Sequence, residues 1–200
     1  TPATGKKVIF CPSLWGGKDW PPESYSPKTG LFYIPAHENL CSEMGGVPVE
    51  YKAGELFIGV PIDEILTNIR FKDGKKPDHI GEIQAWDIAS GKRVWTFKMK
   101  EMNWGPLLTT GGNLLFSGGS NDRLFRALDA KTGKKLWEFP TNSGVTAVPS
   151  SYMVDGVQYV TVQSGWGVDA QRMQGAFDAV MDHQTIVPQG GVIWVFALKQ

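Results

Sequence analysis

The sequence predicts an all-β protein made of short strands and frequent turns. The 200 residues contain 24 glycines, 13 prolines and 8 tryptophans, which indicates many chain reversals and many large flat side chains. Strand-like runs alternate with hairpin signals such as "VDGVQ", and no long helical pattern interrupts them. In addition, one segment occurs twice along the chain, which points to a repeat architecture.

The repeated segment reads "AWDIASGKRVWTF" at Ala85–Phe97 and "ALDAKTGKKLWEF" at Ala127–Phe139, a spacing of 42 residues. Repeat units of about 40–50 residues are typical of β-propeller blades. A weaker third copy, "YSPKTGLFYI" at Tyr25–Ile34, keeps the turn but not the tryptophan. The fold class predicted from this repeat is therefore a β-propeller.

Each residue type in the repeat has an expected role. Asp87 and Asp129 end a strand, where a carboxylate accepts hydrogen bonds from the backbone of the next turn. Trp95 and Trp137 lie in the following strand, and because they are repeated we expect them to pack between neighbouring blades rather than to bind a ligand.

The remaining strands are readable between and after the two copies. They are predicted at "NLLFSGG", "DRLFRALD", "KKLWEF", "TAVPSSYMV", "QYVTVQSG" and "GVIWVFAL". Only about three to four blades fit in this length, whereas propellers close with roughly four to eight. We therefore expect residues 1–200 to form part of a larger ring.

Two segments do not follow the blade pattern. Gly46–Ile80 contains "GELFIGVPI" and then the lysine-rich run "RFKDGKKPDH", which is typical of a solvated excursion. Asp169–Gln189 is predicted to be an insertion with a short helix around "GAFDAVM".

Composition and motifs exclude several function classes. Lysine plus arginine and aspartate plus glutamate each number 20, so no basic face for nucleic acid is indicated. No apolar run approaches the ~18 residues of a membrane span. The start, "TPATGKKVIF", is not a signal peptide, so any export signal is expected outside this sequence. His37, His79 and His183 lack the spacing of paired metal ligands, and neither a Gly-x-Gly-x-x-Gly dinucleotide motif nor a Cys-x-x-Cys-His haem motif is present.

Together with the loop "GGKDWPP" at Gly16–Pro22, the repeat resembles the quinoprotein alcohol dehydrogenases, which are eight-bladed propellers that bind pyrroloquinoline quinone (PQQ). The family's tryptophan-docking motif, Ala-x-Asp-x-x-x-Gly-x-x-x-Trp, matches twice. "CPSLWGGKDWPPESYSPKTGLFYIPAHENLC" is similar to a family segment bounded by two cysteines, and "GGVIWVFALK" is similar to the closing strand of the PQQ domain. The resemblance extends over essentially the whole chain and implies the C-terminal part of a methanol or ethanol dehydrogenase-like catalytic subunit.

The resemblance implies a disulfide between Cys11 and Cys41, and their loop-like surroundings favour it; two free buried thiols are the alternative. A disulfide indicates an oxidising compartment. Asp19, eight residues after Cys11, matches a loop residue that bonds the quinone, and Trp20 beside it is a further candidate. Family members often have Asn there, and an ionised carboxylate only accepts hydrogen bonds. Asp19 is then protonated, bridged by water, neutralised by Lys18, or satisfies only its own turn.

Further candidates for PQQ binding follow from the same resemblance. Trp104 in "NWGPLL" matches a tryptophan that contacts the edge of the quinone ring system. "SGWGVDA" resembles a glycine-rich loop near the cofactor carboxylates, with Trp166, Val168 and Asp169 as candidates.

The implied reaction is oxidation of a primary alcohol to an aldehyde with PQQ and a calcium or lanthanide ion, and transfer of electrons to cytochrome c in the periplasm. No catalytic residue and no metal ligand is assigned among these residues, because the family's catalytic aspartate and metal ligands are expected upstream of Thr1. Two other functions stay open. One is a propeller scaffold of the outer-membrane assembly type that binds no quinone, and the other is a PQQ sugar dehydrogenase.

Overall fold

The computed structural model describes residues 4–197, and for Ile62, Leu66, Val168 and Asp169 it describes the backbone only. Within this range the chain forms fourteen strands and two helices. In chain order the strands are β1 (Val8–Phe10), β2 (Ser24–Ser26), β3 (Leu31–His37), β4 (Leu40–Met44), β5 (Ile69–Phe71), β6 (Gly81–Asp87), β7 (Lys92–Met99), β8 (Leu107–Thr109), β9 (Leu114–Ser117), β10 (Leu124–Asp129), β11 (Lys135–Pro140), β12 (Ser150–Val154), β13 (Val157–Ser164) and β14 (Val192–Ala197). The helices are α1 (Ile62–Thr67) and α2 (Val168–Met181).

The strands form four antiparallel sheets, three of which are successive propeller blades. The first blade is β2-β3-β6-β7, the second is β8-β9-β10-β11, and the third is the three-stranded sheet β12-β13-β14. A separate small sheet, β1-β4-β5, is built from the loop before the first blade and from the excursion inside it. The predicted all-β propeller of about three to four blades is confirmed.

The repeated segments form the last hairpin of the first and second blades. In the first, Asp87 Oδ1 accepts hydrogen bonds from the backbone N–H groups of Ala89 and Ser90, at 2.9 and 2.8 Å. The Ser90 N–H in particular lowers the pKa of the Asp87 carboxyl. In the second, Asp129 Oδ1 accepts from the backbone N–H of Thr132 at 2.8 Å. The expected role of both aspartates is therefore confirmed.

The tryptophan of the repeat docks one blade on the next. The ring of Trp95 in the first blade lies over Gly133 in the second, so closely that a Cβ on Gly133 would lie 2.6 Å from Trp95 Cε3. Trp95 Nε1 also donates a hydrogen bond to the carbonyl of Ala130 at 3.1 Å. Trp137 in the second blade contacts Phe196 of the third, with ring centroids 5.2 Å apart.

Separate apolar cores lie between the blades. Between the first and second blades the buried residues include Leu31, Tyr33, Ile83, Leu107, Leu115 and Leu128. Between the second and third they include Phe116, Phe125, Val145, Val160 and Val162. Each blade therefore packs on its neighbour through an apolar core, as expected for a propeller.

The two irregular segments contain more structure than the sequence predicted. In the stretch Gly46–Ile80 the lysine-rich run is mostly exposed, as predicted, and residues 47–57 are exposed as well, but the stretch also forms α1 and β5. The helix predicted around "GAFDAVM" begins earlier, at Val168. Met173, Phe177 and Met181 follow each other at four-residue intervals and pack on a core, which is the spacing of one helix face.

Neither helix in the described range is long and apolar enough to cross a membrane.

Candidate functional site

The long connections of the three blades all lie on one face of the molecule. Because neighbouring strands are antiparallel, the connections alternate between two faces. Tight turns occupy the opposite face, whereas the long-connection face receives 11–23, 38–80, 100–106, 118–123, 141–149 and 165–191. Asp19, Trp20, Trp104 and Trp166 are therefore brought to the same face, although they are far apart in sequence.

The loop that contains Asp19 is fastened at several points. A disulfide bond joins Cys11 to Cys41 in β4, with Cα atoms 4.4 Å apart. The backbone N–H of Leu14 donates to Ser42 Oγ at 2.8 Å, and the backbone N–H of His37 donates to the carbonyl of Gly17 at 2.8 Å. The predicted disulfide is confirmed, and it ties this loop to the small sheet, whereas the bond from His37 ties it to the first blade.

Replacing Cys11 and Cys41 together by serine is expected to lower the free energy of unfolding by roughly 2–4 kcal/mol, because the bond spans 30 residues and restricts the unfolded chain. Urea denaturation of the purified protein measures the loss. Reduced wild-type protein is the matched control and should show the same loss. Equal midpoints for the variant and the oxidised wild type would contradict the prediction.

Asp19 satisfies its own turn. Its Oδ1 accepts a hydrogen bond from the backbone N–H of Trp20 at 2.8 Å. Lys18 does not pair with it; the Lys18 ammonium forms an ion pair with Glu23 instead, at 2.7 Å, and lowers the pKa of the Glu23 carboxyl by hydrogen bonding. Neutralisation of Asp19 by Lys18, one of the possibilities left by the sequence, is thus not observed. The side chain of Trp20 is 56% exposed.

Trp104 is buried, with only 2% of its surface exposed. Its backbone N–H donates to the carbonyl of Gly119 at 2.6 Å, and its ring contacts the imidazole of His37 edge to face, with centroids 5.3 Å apart. The indole Nε1 of Trp104 has no hydrogen-bond partner among the described residues. A buried donor without an acceptor is rare in proteins and calls for an explanation, such as a ligand atom.

The backbone beside Trp104 is a crossing of two glycine-containing segments. A Cβ on Gly119 would lie 1.9 Å from the backbone nitrogen of Gly105, and Gly119 has a φ of +96°. A Cβ on Gly105 would lie 2.6 Å from the backbone of Gly118. Only glycines allow the two segments to approach so closely. This close approach sets the position of Trp104, which is the neighbour of Gly105.

Trp166 lies on the third blade's side of the same face and is also buried. It packs over Gly144, where a Cβ would lie 2.0 Å from Trp166 Cε3. It also lines a cavity of about 510 Å³ together with Ser164, Gly165 and Gly191. The cavity walls are rich in glycine, so backbone groups are accessible in it.

The segment predicted to be a glycine-rich loop is shorter than expected. The residues Gly165–Gly167 are in the loop, but Val168 and Asp169 belong to the first turn of α2. Their side chains lie outside the described part of the structure. Gly167 precedes the helix in an extended conformation.

The three buried tryptophans of this face share one core, which we call the tryptophan cluster. Its buried members are Trp15, Leu40, Ile69, Ile80, Met102, Trp104, Trp166, Phe177, Met181 and Val187. Trp15 contacts Phe177 of α2, with ring centroids 5.9 Å apart, and its Nε1 also lacks a partner among the described residues. The helix α2 thus covers the cluster from outside.

Sequence reasoning missed Trp15 and His37. Of the two tryptophans in the cysteine-bounded loop, Trp15 is the buried one and Trp20 the exposed one. Nothing in a Pro/Gly-rich loop distinguishes them, because no periodicity relates such residues to a core. His37 is the last residue of β3, and the alternation of buried positions along that strand is the only signal that could have indicated its burial.

Comparison with known proteins identifies the family. Residues 98–160 match the model described as PQQ glucose/ethanol/alcohol dehydrogenase, beta-propeller domain. Quinoprotein alcohol dehydrogenase PedH of Pseudomonas putida is 38% identical over 99% of this chain and 31% of its own length. This chain belongs to the quinoprotein alcohol dehydrogenase family.

Further members of this family support the assignment. Quinoprotein ethanol dehydrogenase of Pseudomonas aeruginosa is 39% identical over 97% of this chain and 29% of its own length. The solved structure of a europium-containing methanol dehydrogenase superimposes with a TM-score of 0.80 at 34% identity, and covers 98% of this chain and 36% of that one. The chain therefore spans about 31% of the curated relative PedH, and the match lies in the C-terminal part of these relatives.

Proposed function

We propose that residues 1–200 are the C-terminal part of the PQQ-binding propeller domain of a quinoprotein alcohol dehydrogenase. The complete protein would oxidise primary alcohols to aldehydes in the periplasm and pass the electrons to a cytochrome c. Relatives named as ethanol, 1-butanol and methanol dehydrogenases support an alcohol as the substrate. The disulfide between Cys11 and Cys41 supports an oxidising compartment.

The observation that carries this proposal is the buried indole N–H of Trp104, which has no partner within residues 4–197. It lies on the face that also receives the Asp19 loop and the cavity beside Trp166. PQQ has quinone and carboxylate oxygens, which accept hydrogen bonds. The residues present therefore fit the cofactor, because the buried indole N–H of Trp104 is a donor and a PQQ oxygen is an acceptor that would stabilise it.

We assign the following residues to the PQQ pocket in the complete protein. Trp104 would donate its indole N–H to a cofactor oxygen, and the Asp19 loop with Trp20 would line the neighbouring edge. Trp166, with the start of α2 at Val168 and Asp169, would line the side of the cavity. Asp19 already accepts a hydrogen bond from Trp20 N–H, so its carboxylate would contact the cofactor through a water or in the protonated state.

PQQ supplies the hydride acceptor of the reaction when it is bound, and a calcium or lanthanide ion acts as a Lewis acid beside it. Among the residues described, no group of three or more His, Cys, Asp or Glu side chains is arranged to hold a metal ion. We therefore place the metal ligands and the catalytic base in other parts of the complete protein. What this chain contributes is one wall of the pocket, which binds and orients the cofactor and excludes water by the packing of the tryptophan cluster.

The test is the PQQ and metal content of the purified full-length protein, measured by absorbance of the quinone and by elemental analysis. Stoichiometric PQQ with calcium or a lanthanide is the expected result. A folded protein that remains empty after incubation with PQQ and either metal would overturn the proposal and favour a scaffold role. Preferential oxidation of glucose over ethanol and 1-butanol by the loaded protein would instead indicate a sugar dehydrogenase.

A further inference from the structure

His37 is a buried residue that contacts two loops of this face and has no role in the proposed function. It ends β3 and is 4% exposed. Its Nε2 lies 3.0 Å from the carbonyl oxygen of Asn103. Because a carbonyl oxygen only accepts hydrogen bonds, Nε2 must carry the proton and donate it. Burial lowers the pKa of His37, which favours the neutral ring.

The backbone and the side chain of His37 hold two different loops. Its backbone N–H binds the carbonyl of Gly17 at 2.8 Å, two residues before Asp19. Its imidazole binds the carbonyl of Asn103, the residue immediately before Trp104. One residue therefore links the Asp19 loop to Trp104, the two parts of this face that we assign to PQQ.

The rest of the Trp104 segment is fixed by other bonds. The Asn103 side chain donates to the carbonyl of Glu82 at 2.9 Å and accepts from the backbone N–H of Gly105 at 3.0 Å. The Trp104 N–H is held by Gly119. Within residues 4–197, His37 is the partner of the Asn103 carbonyl, so the peptide between Asn103 and Trp104 is held at its oxygen by His37 and at its N–H by Gly119.

The ring of His37 also contacts the ring of Trp104. The two planes are inclined at 67° with centroids 5.3 Å apart, the edge-to-face arrangement that aromatic rings favour. His37 thus holds the Trp104 indole in two ways: indirectly, by its hydrogen bond to the carbonyl of Asn103, and directly, by contact between the two rings. Nδ1 of His37 and Nε1 of Trp104 are both buried without a partner among the described residues. Two buried polar atoms without a hydrogen bond to the described residues therefore belong to this pair of contacting rings.

We propose that His37 is a positioning residue for the PQQ pocket, which orients the Trp104 indole relative to the Asp19 loop. This inference rests on the proposed function. His37 does not act on the substrate; it acts through Trp104. Its essential group is the Nε2–H donor to Asn103, and its neutral imidazole supplies that donor without placing a charge in the tryptophan cluster.

Two variants of the full-length protein separate the donor from the ring. His37→Phe keeps an aromatic ring beside Trp104 but leaves the Asn103 carbonyl without its donor. His37→Gln removes the ring but keeps an N–H that reaches the same carbonyl. Both retain the backbone bond to Gly17. His183→Gln is the matched control, because His183 is a partly exposed histidine that takes no part in the pocket.

The measurement is the dissociation constant of PQQ for the apoprotein in the presence of calcium, followed by quenching of tryptophan fluorescence, together with the melting temperature. We expect about tenfold weaker PQQ binding for His37→Phe, since one lost hydrogen bond of this kind corresponds to about one decade. We expect His37→Gln to bind within about threefold of wild type, and His183→Gln to bind like wild type.

The outcomes are distinct. A folded His37→Phe protein with wild-type PQQ affinity and only a lower melting temperature would show that His37 is merely structural and would overturn the inference. If His37→Phe does not fold, His37→Gln decides: affinity near wild type supports the donor role, and a tenfold loss refutes it. If the wild-type protein binds no PQQ, the proposed function is wrong, whatever the His37 variants do.

Discussion

Gly119→Ala in the full-length protein is expected to lower the free energy of unfolding by roughly 3 kcal/mol or more, one of the largest effects of any single methyl group in this chain. The new Cβ would lie 1.9 Å from the nitrogen of Gly105 and 2.7 Å from Asn103 Oδ1. Overpacking in a tight site costs about 1–3 kcal/mol. The φ of +96° adds strain of about 1–3 kcal/mol for a residue with a side chain.

The same change is expected to weaken PQQ binding. Gly119 O accepts the backbone N–H of Trp104, so moving the two segments apart moves the indole. Urea denaturation measures the loss of stability, and a fluorescence titration of the apoprotein with PQQ measures the loss of affinity.

The chain offers a matched control for the conformational part of this effect. Gly156 in the turn between β12 and β13 has a φ of +79°, and nothing lies within 4 Å of the position of its Cβ. Gly156→Ala therefore isolates the strain of the left-handed conformation, and we expect a loss of about 1 kcal/mol with unchanged PQQ affinity. Equal losses for the two variants would show that the close crossing beside Trp104 does not contribute.

The blades could be predicted from the sequence because their determinants are local and repeated. An aspartate, a glycine and a tryptophan at fixed spacing encode a turn and a docking strand, and the structure has Trp95 on Gly133 of the next blade. These residues act within one hairpin or on the adjacent one, so a single spacing of 42 residues reveals both the blade and its neighbour.

The candidate site was only partly predictable, because its geometry depends on contacts between distant segments. The roles of Gly119 and Gly144 follow from close approaches to Gly105 and Trp166, and neither approach leaves a signal in the local sequence. Likewise, α2 begins at Val168 since its apolar side packs on the tryptophan cluster, which overrides the loop predicted at Val168 and Asp169. The family resemblance indicated the loops of the candidate site, whereas the contacts among their residues required the structure.

Trp104→Phe is expected to weaken PQQ binding by about tenfold or more with a comparatively small loss of stability. The indole N–H has no hydrogen-bond partner among the described residues, so its removal breaks no hydrogen bond within this part of the protein. The smaller ring leaves a cavity, and the corresponding loss of stability is roughly 1–2 kcal/mol. With PQQ bound, the variant lacks a donor for the cofactor oxygen, and an unpaired buried acceptor is costly.

The opposite result is expected for Trp95→Phe, which makes a sharp comparison. The Trp95 indole N–H donates to Ala130 O at 3.1 Å between two blades, so its loss lowers the stability of the apoprotein by about 1–2 kcal/mol from the hydrogen bond in addition to the cavity. It lies in the docking strand β7, and we assign it no contact with PQQ, so PQQ affinity should not change.

Titration of both variants with PQQ and urea denaturation of both apoproteins measure the two affinities and the two free energies of unfolding. If Trp104→Phe bound PQQ like wild type while its stability fell as far as that of Trp95→Phe, Trp104 would be a packing residue like Trp95. The wall of the pocket would then have to be sought around Trp166, where the cavity of about 510 Å³ lies.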